Sequence, residues 1–318
     1  MFSLAEPPLF SRLKSATSVL IAGAGGGFDV YAGIPLAIAL RAQGKQVHLA
    51  NLSFSDLDRL ELDDWATPAL AAIGPRSTGP DDYFPERTLA GWLELRTMPA
   101  TVYAFPGVGV RPLRAAYRAL VERLELDAIV LIDGGTDILL RGDEAGLGTP
   151  EEDMTSLAAV AGLDEIPRVV ACLGFGIDAY HGVCHAHVLE NLAALDRAGG
   201  YLGALSIPSN SPEARGYRDA VMHAHAATPT RPSIVNSQIA AALRGEFGDV
   251  DATPDTAGSE LFVNPLMGVY FSVDLPTLAA SVGYLDRLRD TETMFDVHRV
   301  IEEYRGQVDP RERRSFPH

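Results

Sequence analysis

The sequence is poor in cysteine and in basic residues. Its 318 residues include only two cysteines, Cys172 and Cys184, which excludes a small disulfide scaffold and favours the reducing cytoplasm. The 26 basic residues are outnumbered by 42 acidic ones, so the formal net charge is −16. Nucleic acids and anionic membranes are bound by basic surfaces, and we therefore expect neither as a partner.

Long apolar runs are missing as well. No stretch reaches the roughly 18 apolar residues that a membrane helix needs, and residues 1–14 lack the apolar run of a signal peptide. Hydrophobic residues nevertheless make up 47% of the chain, which is enough for a packed core. The sequence therefore predicts a folded cytoplasmic protein that binds a small molecule, and it leaves a homo-oligomer open.

Short apolar runs alternate with helical patterns along most of the chain. This alternation predicts an α/β, Rossmann-like fold, in which a mostly parallel sheet carries helices on both faces. We expect one domain over residues 1–318, with 53–95 as a lid or interface insertion and 309–318 as a tail. The predicted strands are 18–22, 46–52, 101–105, 128–132, 168–173, 201–207 and 269–273, and the predicted helices are 34–43, 111–124, 185–197, 212–226 and 291–304.

Polar and glycine-rich segments follow several of the predicted strands. In a parallel sheet with right-handed crossovers, the carboxyl ends of the strands meet at one edge, where such sheets bind ligands. We therefore expect a functional site at that edge, with Gly176 and Asn210 among its ligand-binding residues. The segments gathered there are Gly23–Asp29, Asp133–Asp137, Gly174–Asp178 and Ser209–Ser211.

The glycine-rich segment Gly23–Asp29 lies between the first strand and a helix. Its glycines let backbone amides approach an anion, whereas Asp29 suits a hydroxyl, an amine or a cation. Phe28 occupies the third glycine position of the dinucleotide motif, and strand 46–52 lacks a carboxylate, so NAD(P) is not expected. A tight turn without a ligand stays open. The candidate ligand-binding residues are Gly23, Gly25, Gly26, Gly27 and Asp29.

Seven carboxylates fall within residues 133–153, interrupted by glycines. Clustered carboxylates suit Mg²⁺, Mn²⁺ or a cationic substrate group, and they also separate the pKa values of an acid and a base. The alternative is a solvated acidic loop in which Glu151 and Glu152 only begin a helix after Pro150. The candidate metal ligands are Asp133, Asp137, Asp143 and Glu144; Asp133 and Asp137 are also candidate catalytic residues, and Gly134, Gly135 and Thr136 are candidate ligand-binding residues.

Three histidines follow the strand-end segment Gly174–Asp178. Their spacing with Cys184 fits no structural zinc site, so we expect His181 or His185 to transfer a proton and His187 to point elsewhere. Helix capping and hydrogen bonds at the edge of the core are the alternative role for each.

Together these segments resemble an uncharacterised prokaryotic family, domain of unknown function 1152. The likeness is carried by Gly23–Asp29, by Asp133–Asp137 with Gly142–Glu144, and by Tyr180–Gly182 leading into His185. It extends over about residues 15–305. The resemblance implies a Rossmann-like α/β fold and no particular reaction.

The motifs favour an enzyme acting on a small polar metabolite, with phosphorylated and nucleotide-like compounds as candidates. Metal-assisted group transfer or hydrolysis suits the carboxylates better than redox chemistry. Two alternatives stay open. One is a metal-independent lyase, cyclase or isomerase whose carboxylates hold the ammonium group of an amino-acid-like substrate, and the other is a protein that binds a small ligand without turnover.

Overall fold

A computed structural model describes residues 5–250 and 262–315 of the chain. Within these residues, nine strands form one sheet in the order β3-β4-β5-β2-β1-β6-β7-β11-β8, and β9 pairs with β10 separately. The strands are β1 (Ser18–Gly23), β2 (Gln46–Leu52), β3 (Trp65–Thr67), β4 (Leu70–Ile73), β5 (Val102–Phe105), β6 (Ala128–Asp133), β7 (Arg168–Cys172), β8 (Tyr201–Ser206), β9 (Gly248–Asp249), β10 (Phe262–Val263) and β11 (Val269–Asp274).

The central part of the sheet is parallel, as the alternating pattern predicts. Strands β5, β2, β1, β6 and β7 pair in parallel, whereas β4 pairs antiparallel with β5, and β11 pairs antiparallel with both β7 and β8. The chain leaves β1 toward β2 on one side and later reaches β6 on the other side. The strand order therefore reverses between β1 and β6, which is where open α/β sheets form a crevice.

Helices cover both faces of the sheet, which confirms the predicted α/β class. Helices α5, α6, α7, α10 and α11 pack on one face, and α1, α2, α3, α4, α8 and α9 pack on the other. Their bounds are α1 (Pro8–Arg12), α2 (Asp29–Ala32), α3 (Ile34–Ala42), α4 (Pro85–Leu95), α5 (Val110–Leu124), α6 (Pro150–Ala161), α7 (His185–Arg197), α8 (Pro212–Ala227), α9 (Ile234–Leu243), α10 (Leu275–Ser281) and α11 (Met294–Arg305).

Strand β6 illustrates why the apolar runs become central strands. Ile129 and Leu131 pack into the core on one face, and Val130 and Ile132 pack into the core on the other. Because successive side chains of a strand point to opposite faces, a strand covered on both sides needs an uninterrupted apolar run. The first polar residue after that run, Asp133, consequently lies at the carboxyl end of the strand.

Residues 53–95 contribute regular elements to the fold. Strands β3 and β4 extend the sheet beyond β5, and Leu89, Trp92 and Leu93 of α4 are buried in the core. The C-terminal segment also has tertiary contacts, since Arg311 pairs with Asp143; residues 316–318 lie outside the described residues. No helix in the described part of the chain combines the length and apolarity that crossing a bilayer requires.

Candidate functional site

The segments that follow β1 and β6 meet at the reversal point of the sheet. The backbone N–H of Ala24 donates to the carbonyl of Ile132 at 2.8 Å, which continues the β1–β6 pairing to the edge. Beyond this bond, the backbone after β1 continues into Gly25–Asp29 and the backbone after β6 continues into Gly134–Asp137. The structure thus brings the glycine-rich and acidic segments together.

Three carboxylates converge between these segments. Asp29, Asp133 and Asp153 each offer an oxygen atom, and these oxygens lie within 4.8 Å of one another. Asp133 ends β6 and Asp153 lies in the first turn of α6, and both are almost fully buried. The group therefore collects carboxylates from three separate parts of the chain in a poorly hydrated place.

Helix α6 delivers Asp153 because its inward face continues to the N-terminal turn. Asp153, Leu157 and Val160 follow a helical spacing on the face that packs against the sheet, and all are buried. Ser156 lies beside them and donates through Oγ to the carbonyl of Ala24 at 2.8 Å. This bond fastens the start of α6 to the glycine-rich segment.

The Asp153 carboxylate has no partner among the described residues. Both of its oxygens are buried and neither accepts a hydrogen bond, although the residue is only 1% exposed. Buried polar groups are almost always hydrogen-bonded, since leaving one unsatisfied costs about 1–3 kcal/mol and more when it is charged. Asp153 is therefore a buried carboxyl that lies beside two others without a hydrogen-bond donor among the described residues.

Asp29 is oriented by the glycine-rich segment itself. The N–H of Gly25 donates to its Oδ2 at 2.7 Å. Burial, with smaller contributions from the charges of Asp137 and Glu152, raises the pKa of Asp29 to about 7 against the opposing effect of hydrogen bonds from Gly25 and Gly134. Its carboxyl therefore changes charge near neutral pH in the absence of a cation.

Burial affects the pKa values of the other two carboxyls of the group in the same direction as that of Asp29. Burial raises the pKa of Asp133 and of Asp153 well above the ordinary range, with the nearby charge of Asp137 as the next cause for each. Like charges in a poorly solvated place cannot all ionise at low cost. A divalent cation among them would reverse this balance and hold all three in the charged form.

Asp137 lies near this group but is already hydrogen-bonded. Its Oδ2 accepts from the backbone N–H of Thr149 at 2.8 Å and from the Thr149 hydroxyl at 3.0 Å. These bonds fix the segment that leads into α6. The structure therefore places Asp137 where it positions the helix that carries Asp153.

Asp178 approaches the acidic segment from the loop after β7. Its Oδ2 accepts from the N–H of Thr136 at 2.6 Å and from the Thr136 hydroxyl at 3.3 Å. Burial and the charge of Asp137 raise the pKa of Asp178 well above its usual range. The loop Gly174–Asp178 thus reaches the site through Asp178.

Two glycines make room for the carboxylates. A Cβ on Gly25 would lie 2.6 Å from Oδ2 of Asp29 and 2.8 Å from Oδ1 of Asp153, and a Cβ on Gly134 would lie 2.9 Å from Oδ1 of Asp29. Real Cβ atoms do not come this close to an oxygen. Absent side chains at both positions therefore open the space into which the carboxyls project.

The remaining glycines of these segments have other neighbours. Gly26 and Gly27 adopt positive φ angles of 88° and 58° beside the ring of Phe54, which glycine does without strain. A Cβ on Gly135 would lie 2.6 Å from Oδ1 of Asp178, and one on Gly23 would contact Asn51. In both segments, the backbone at these glycines thus lies too close to neighbouring side chains for a Cβ atom to fit.

A second buried acid lies behind the glycine-rich segment. Nδ2 of Asn51, at the end of β2, donates to the carbonyl of Gly27 and to Oε1 of Glu86, both at 2.7 Å. Burial raises the pKa of Glu86 to about 7. Hydrogen bonds to its carboxylate, of which the bond from Asn51 has the largest effect, oppose this rise and are already included in that value. Glu86 on α4 therefore holds the segment indirectly, through Asn51.

The structure places Asp143 and Glu144 apart from the three-carboxylate group. Glu144 accepts from Nδ2 of Asn191 at 2.6 Å and from Nη2 of Arg311 at 2.7 Å, as well as from the N–H groups of Arg141 and Gly142. Asp143 forms an ion pair with Arg311 at 2.8 Å. Their oxygens are used in attaching the C-terminal segment to α7, so these two predicted ligands do not join Asp133.

The histidines and Asn210 also have contacts of their own. The ring of His185 bonds through Nε2 with the carbonyl of Gly176 at 3.1 Å, while His181 is exposed and packs beside Tyr180. His187 bonds through Nε2 with the carbonyl of Glu312 at 2.9 Å. Asn210 is exposed, and its carbonyl accepts from Arg215. None of these side chains belongs to the carboxylate group.

Sequence reasoning missed four residues that the structure brings to the site or its support. Asp153 is one of the seven carboxylates in residues 133–153, but burial of every residue from Asp153 to Val160 leaves no one-sided pattern that would single it out. Asp178 follows a strand like Asp133 and carried the same signal. Asn51 and Glu86 had no local signal, because only the pairing of β2 and the packing of α4 bring them together.

The fold and the site define the chain as an α/β protein in which three carboxylates meet at the reversal point of its sheet. The chain belongs to the family described as Protein of unknown function (DUF1152), whose model matches residues 86–308. This range confirms the suspected family and includes Asp133, Asp153 and Asp178, but it starts well after Gly23–Asp29. A comparison with curated proteins finds no match.

Proposed function

We propose that this chain is a cytoplasmic enzyme that binds one divalent cation, Mg²⁺ or Mn²⁺, through Asp29, Asp133 and Asp153. It acts on a small polar metabolite by group transfer or hydrolysis. The observation that carries the proposal is the Asp153 carboxylate, which is buried without a hydrogen-bond donor beside two other carboxylates. A cation supplies the missing partner.

The donor set fits a hard cation. Mg²⁺ and Mn²⁺ prefer oxygen ligands, and Mg²⁺–oxygen distances are about 2.0–2.1 Å, so oxygens on opposite sides of the ion lie about 4 Å apart. The three carboxylate oxygens lie within 4.8 Å of one another, so only small side-chain movements are needed. Three carboxylates leave positions in an octahedral shell for water and substrate.

The chain's own residues complete the site. Gly25 and Gly134 leave open the approach to Asp29, and the amides of Gly26 and Gly27 hold the anionic part of the substrate. Within the described residues, the N–H groups of Gly26 and Gly27 have no acceptor, and backbone N–H groups exposed in a turn can line an anion-binding concavity. When bound, the cation supplies Lewis-acid activation of a phosphoryl or carbonyl oxygen.

Proton transfer is assigned to the groups that flank the carboxylates. Asp178 adjoins Gly135 and Thr136, and its raised pKa favours the protonated form that donates a proton. Asp137 lies beside the carboxylates, so Asp178 and Asp137 are the candidates there for general acid and base. His181 is exposed and His185 begins α7, both outside the carboxylate group, and only their place in the sequence favours them for proton transfer.

The test is metal binding by protein freed of metal with EDTA. Titration with Mn²⁺, followed by calorimetry or electron paramagnetic resonance, should show one site that Asp153→Asn weakens at least about tenfold. Asp143→Asn is the matched control, since it removes an acid of the same loop that pairs with Arg311. Equal Mn²⁺ affinity in the two variants would contradict the assignment of Asp153.

Turnover is tested by screening phosphorylated metabolites and nucleotides with and without Mn²⁺. The proposal expects activity that EDTA abolishes and Mn²⁺ restores. Activity that survives EDTA would instead favour the metal-independent alternative, in which the three carboxylates hold a substrate ammonium group.

A further inference from the structure

A second cavity lies between α8 and α9, lined by residues other than those of the carboxylate site. It encloses about 470 Å³, within the usual range of small-molecule sites. Three arginines line it, Arg215 and Arg218 from α8 and Arg244 from the end of α9. Such a concentration of positive charge is notable in a chain whose formal net charge is −16.

The acidic residue of this cavity does not neutralise the arginines. Asp219 is held by an ion pair with Arg96 and by the indole N–H of Trp92 at 2.9 Å. Glu246 pairs with Nε of Arg244 at 2.5 Å, which leaves the two terminal nitrogens of that guanidinium without a partner among the described residues. The arginine cavity therefore retains an excess of positive charge.

Two of the guanidinium groups are held in place by single nitrogens. Nη1 of Arg218 donates to the carbonyls of Leu243 at 2.9 Å and Ser209 at 3.2 Å, and Nη1 of Arg215 donates to the carbonyl of Asn210. The other N–H groups of both side chains have no acceptor in the described residues. Anchored guanidinium groups with free donors match the geometry of phosphate and carboxylate groups.

The walls of the arginine cavity also include apolar side chains. Met222 is 65% exposed at its rim, and Val221 and Ala240 lie inside it. A bare phosphate ion would fill only part of a space of this size. An occupant with an organic part in contact with these side chains and two or more negative charges toward the arginines fits it better.

We propose that the arginine cavity is a binding site for a small organic anion bearing at least two negative charges on phosphate or carboxylate groups. The chemistry shared by these groups is recognition by Arg215, Arg218 and Arg244. The site is independent of the divalent cation, because none of its lining residues belongs to the three-carboxylate group.

The test uses the full chain in EDTA at low salt, with inorganic pyrophosphate and citrate as probes and acetate as the singly charged comparison. Calorimetry should show one site for pyrophosphate, for citrate or for both, and at least tenfold weaker binding of acetate. Preference for pyrophosphate identifies a phosphorylated ligand, and preference for citrate identifies a polycarboxylate. Failure of both probes to exceed acetate would overturn the proposal.

Variants locate the site. Arg215→Gln and Arg244→Gln should each weaken the bound probe about tenfold, as expected for loss of a charge-assisted hydrogen bond. Arg123→Gln is the matched control, since Arg123 is exposed on α5 and makes the same charge change outside the cavity. Arg218 is left intact because its bonds hold the end of α9. Equal losses in all three variants, with unchanged unfolding midpoints, would contradict the assignment.

Discussion

At the scale of single residues, the site depends as much on side chains that are absent as on those that are present. Gly25 allows the backbone to lie against Asp29 and Asp153, and Asp153 is the carboxyl that has no donor. A glycine at this position is therefore required by the close approach, whereas Gly26 and Gly27 are required by their backbone angles. The same motif serves two physical purposes.

Gly25→Ala should weaken Mn²⁺ binding at least about tenfold while the chain remains folded. The added methyl would lie 2.6 Å from Oδ2 of Asp29 and 2.8 Å from Oδ1 of Asp153, so both carboxyls must move. Gly74→Ala is the control, because nothing lies within 4 Å of its Cβ position and its φ is not positive. Calorimetric titration measures the difference, and equal affinities would refute this role of Gly25.

Glu86→Gln tests the buried acid behind the glycine-rich segment. Burial raises the pKa of Glu86 from 4.5 to about 7, so its favourable contribution to folding is complete below pH 4.5 and is lost as the pH rises through about 7. A change of this size corresponds to about 3 kcal/mol. The unfolding free energy of the wild type, relative to Glu86→Gln, should therefore fall by about that amount between pH 5 and pH 8.5.

Denaturant titrations at several pH values measure this difference. Glu94→Gln on the same helix is the control, because Glu94 is exposed and pairs only with Arg76, and its difference from the wild type should stay constant. A constant difference for Glu86→Gln as well would show that Glu86 does not titrate in this range.

At the scale of elements, buried carboxylates hold both α6 and the C-terminal segment in place. The two attachments differ in whether a carboxylate is left without a hydrogen-bond partner. Asp137 and Ser156 fix the start of α6 so that Asp153 is left unpartnered. Glu144, which is fully buried, is instead completely satisfied by backbone amides, Asn191 and Arg311. The acidic segment thus contains one buried carboxyl without a partner and another that attaches the C-terminal segment.

Arg311→Ala should lower the free energy of unfolding by about 2 kcal/mol, the usual range for hydrogen bonds to charged groups. Arg311 forms the shorter of the two ion pairs of Glu144, the other being with Arg141, and it also binds Asp143 and Glu190. Arg299→Ala removes the exposed ion pairs with Asp296 and Glu303 and should change stability by less than about 0.5 kcal/mol. Chemical denaturation compares the two variants, and similar losses would argue against the attachment.

At the scale of the whole molecule, burial of several carboxyls couples folding to pH and to the cation. Burial raises the pKa values of Asp29, Asp133, Asp153 and Asp178. Without a cation, their contribution to stability is complete only below their ordinary values near 4 and is lost as the pH rises through the higher folded values. For Asp29 that loss is complete once the pH has risen through about 7.

Thermal unfolding in EDTA should therefore occur at lower temperature at pH 8 than at pH 5.5. The stabilisation by Mn²⁺ should be larger at pH 8, where the cation no longer competes with protons for the carboxyls. At a fixed Mn²⁺ concentration equal to one hundred times the Kd at pH 8, the cation adds about 2.7 kcal/mol at pH 8 and less at pH 5.5. Asp153→Asn should lose most of this increment, and an increment that is the same at both pH values would contradict the proposed site.

The sequence predicted the central part of the fold closely, because buried strands and amphipathic helices have strong periodic patterns. Helix α7 begins and ends where its pattern predicts, and so does strand β2. Helix α9 was not predicted, and α6 was expected only in the alternative interpretation of the acidic segment, as a helix that begins after Pro150. Helix α6 is buried on most of its surface, from Asp153 to Val160, so its polar and apolar residues do not alternate with a clear helical period.

For the candidate site, the sequence by itself determined the location and part of the composition. An apolar run that ends in Asp133 and another that ends in Gly23–Asp29 place both segments at the carboxyl edge of a parallel sheet. Only the tertiary structure decided which of the seven carboxylates in residues 133–153 meet there. Asp143 and Glu144 are taken by Arg311, while Asp153 faces Asp29 without a partner. Position along a strand is a local property, but the partner of a buried charge depends on residues more than one hundred positions away.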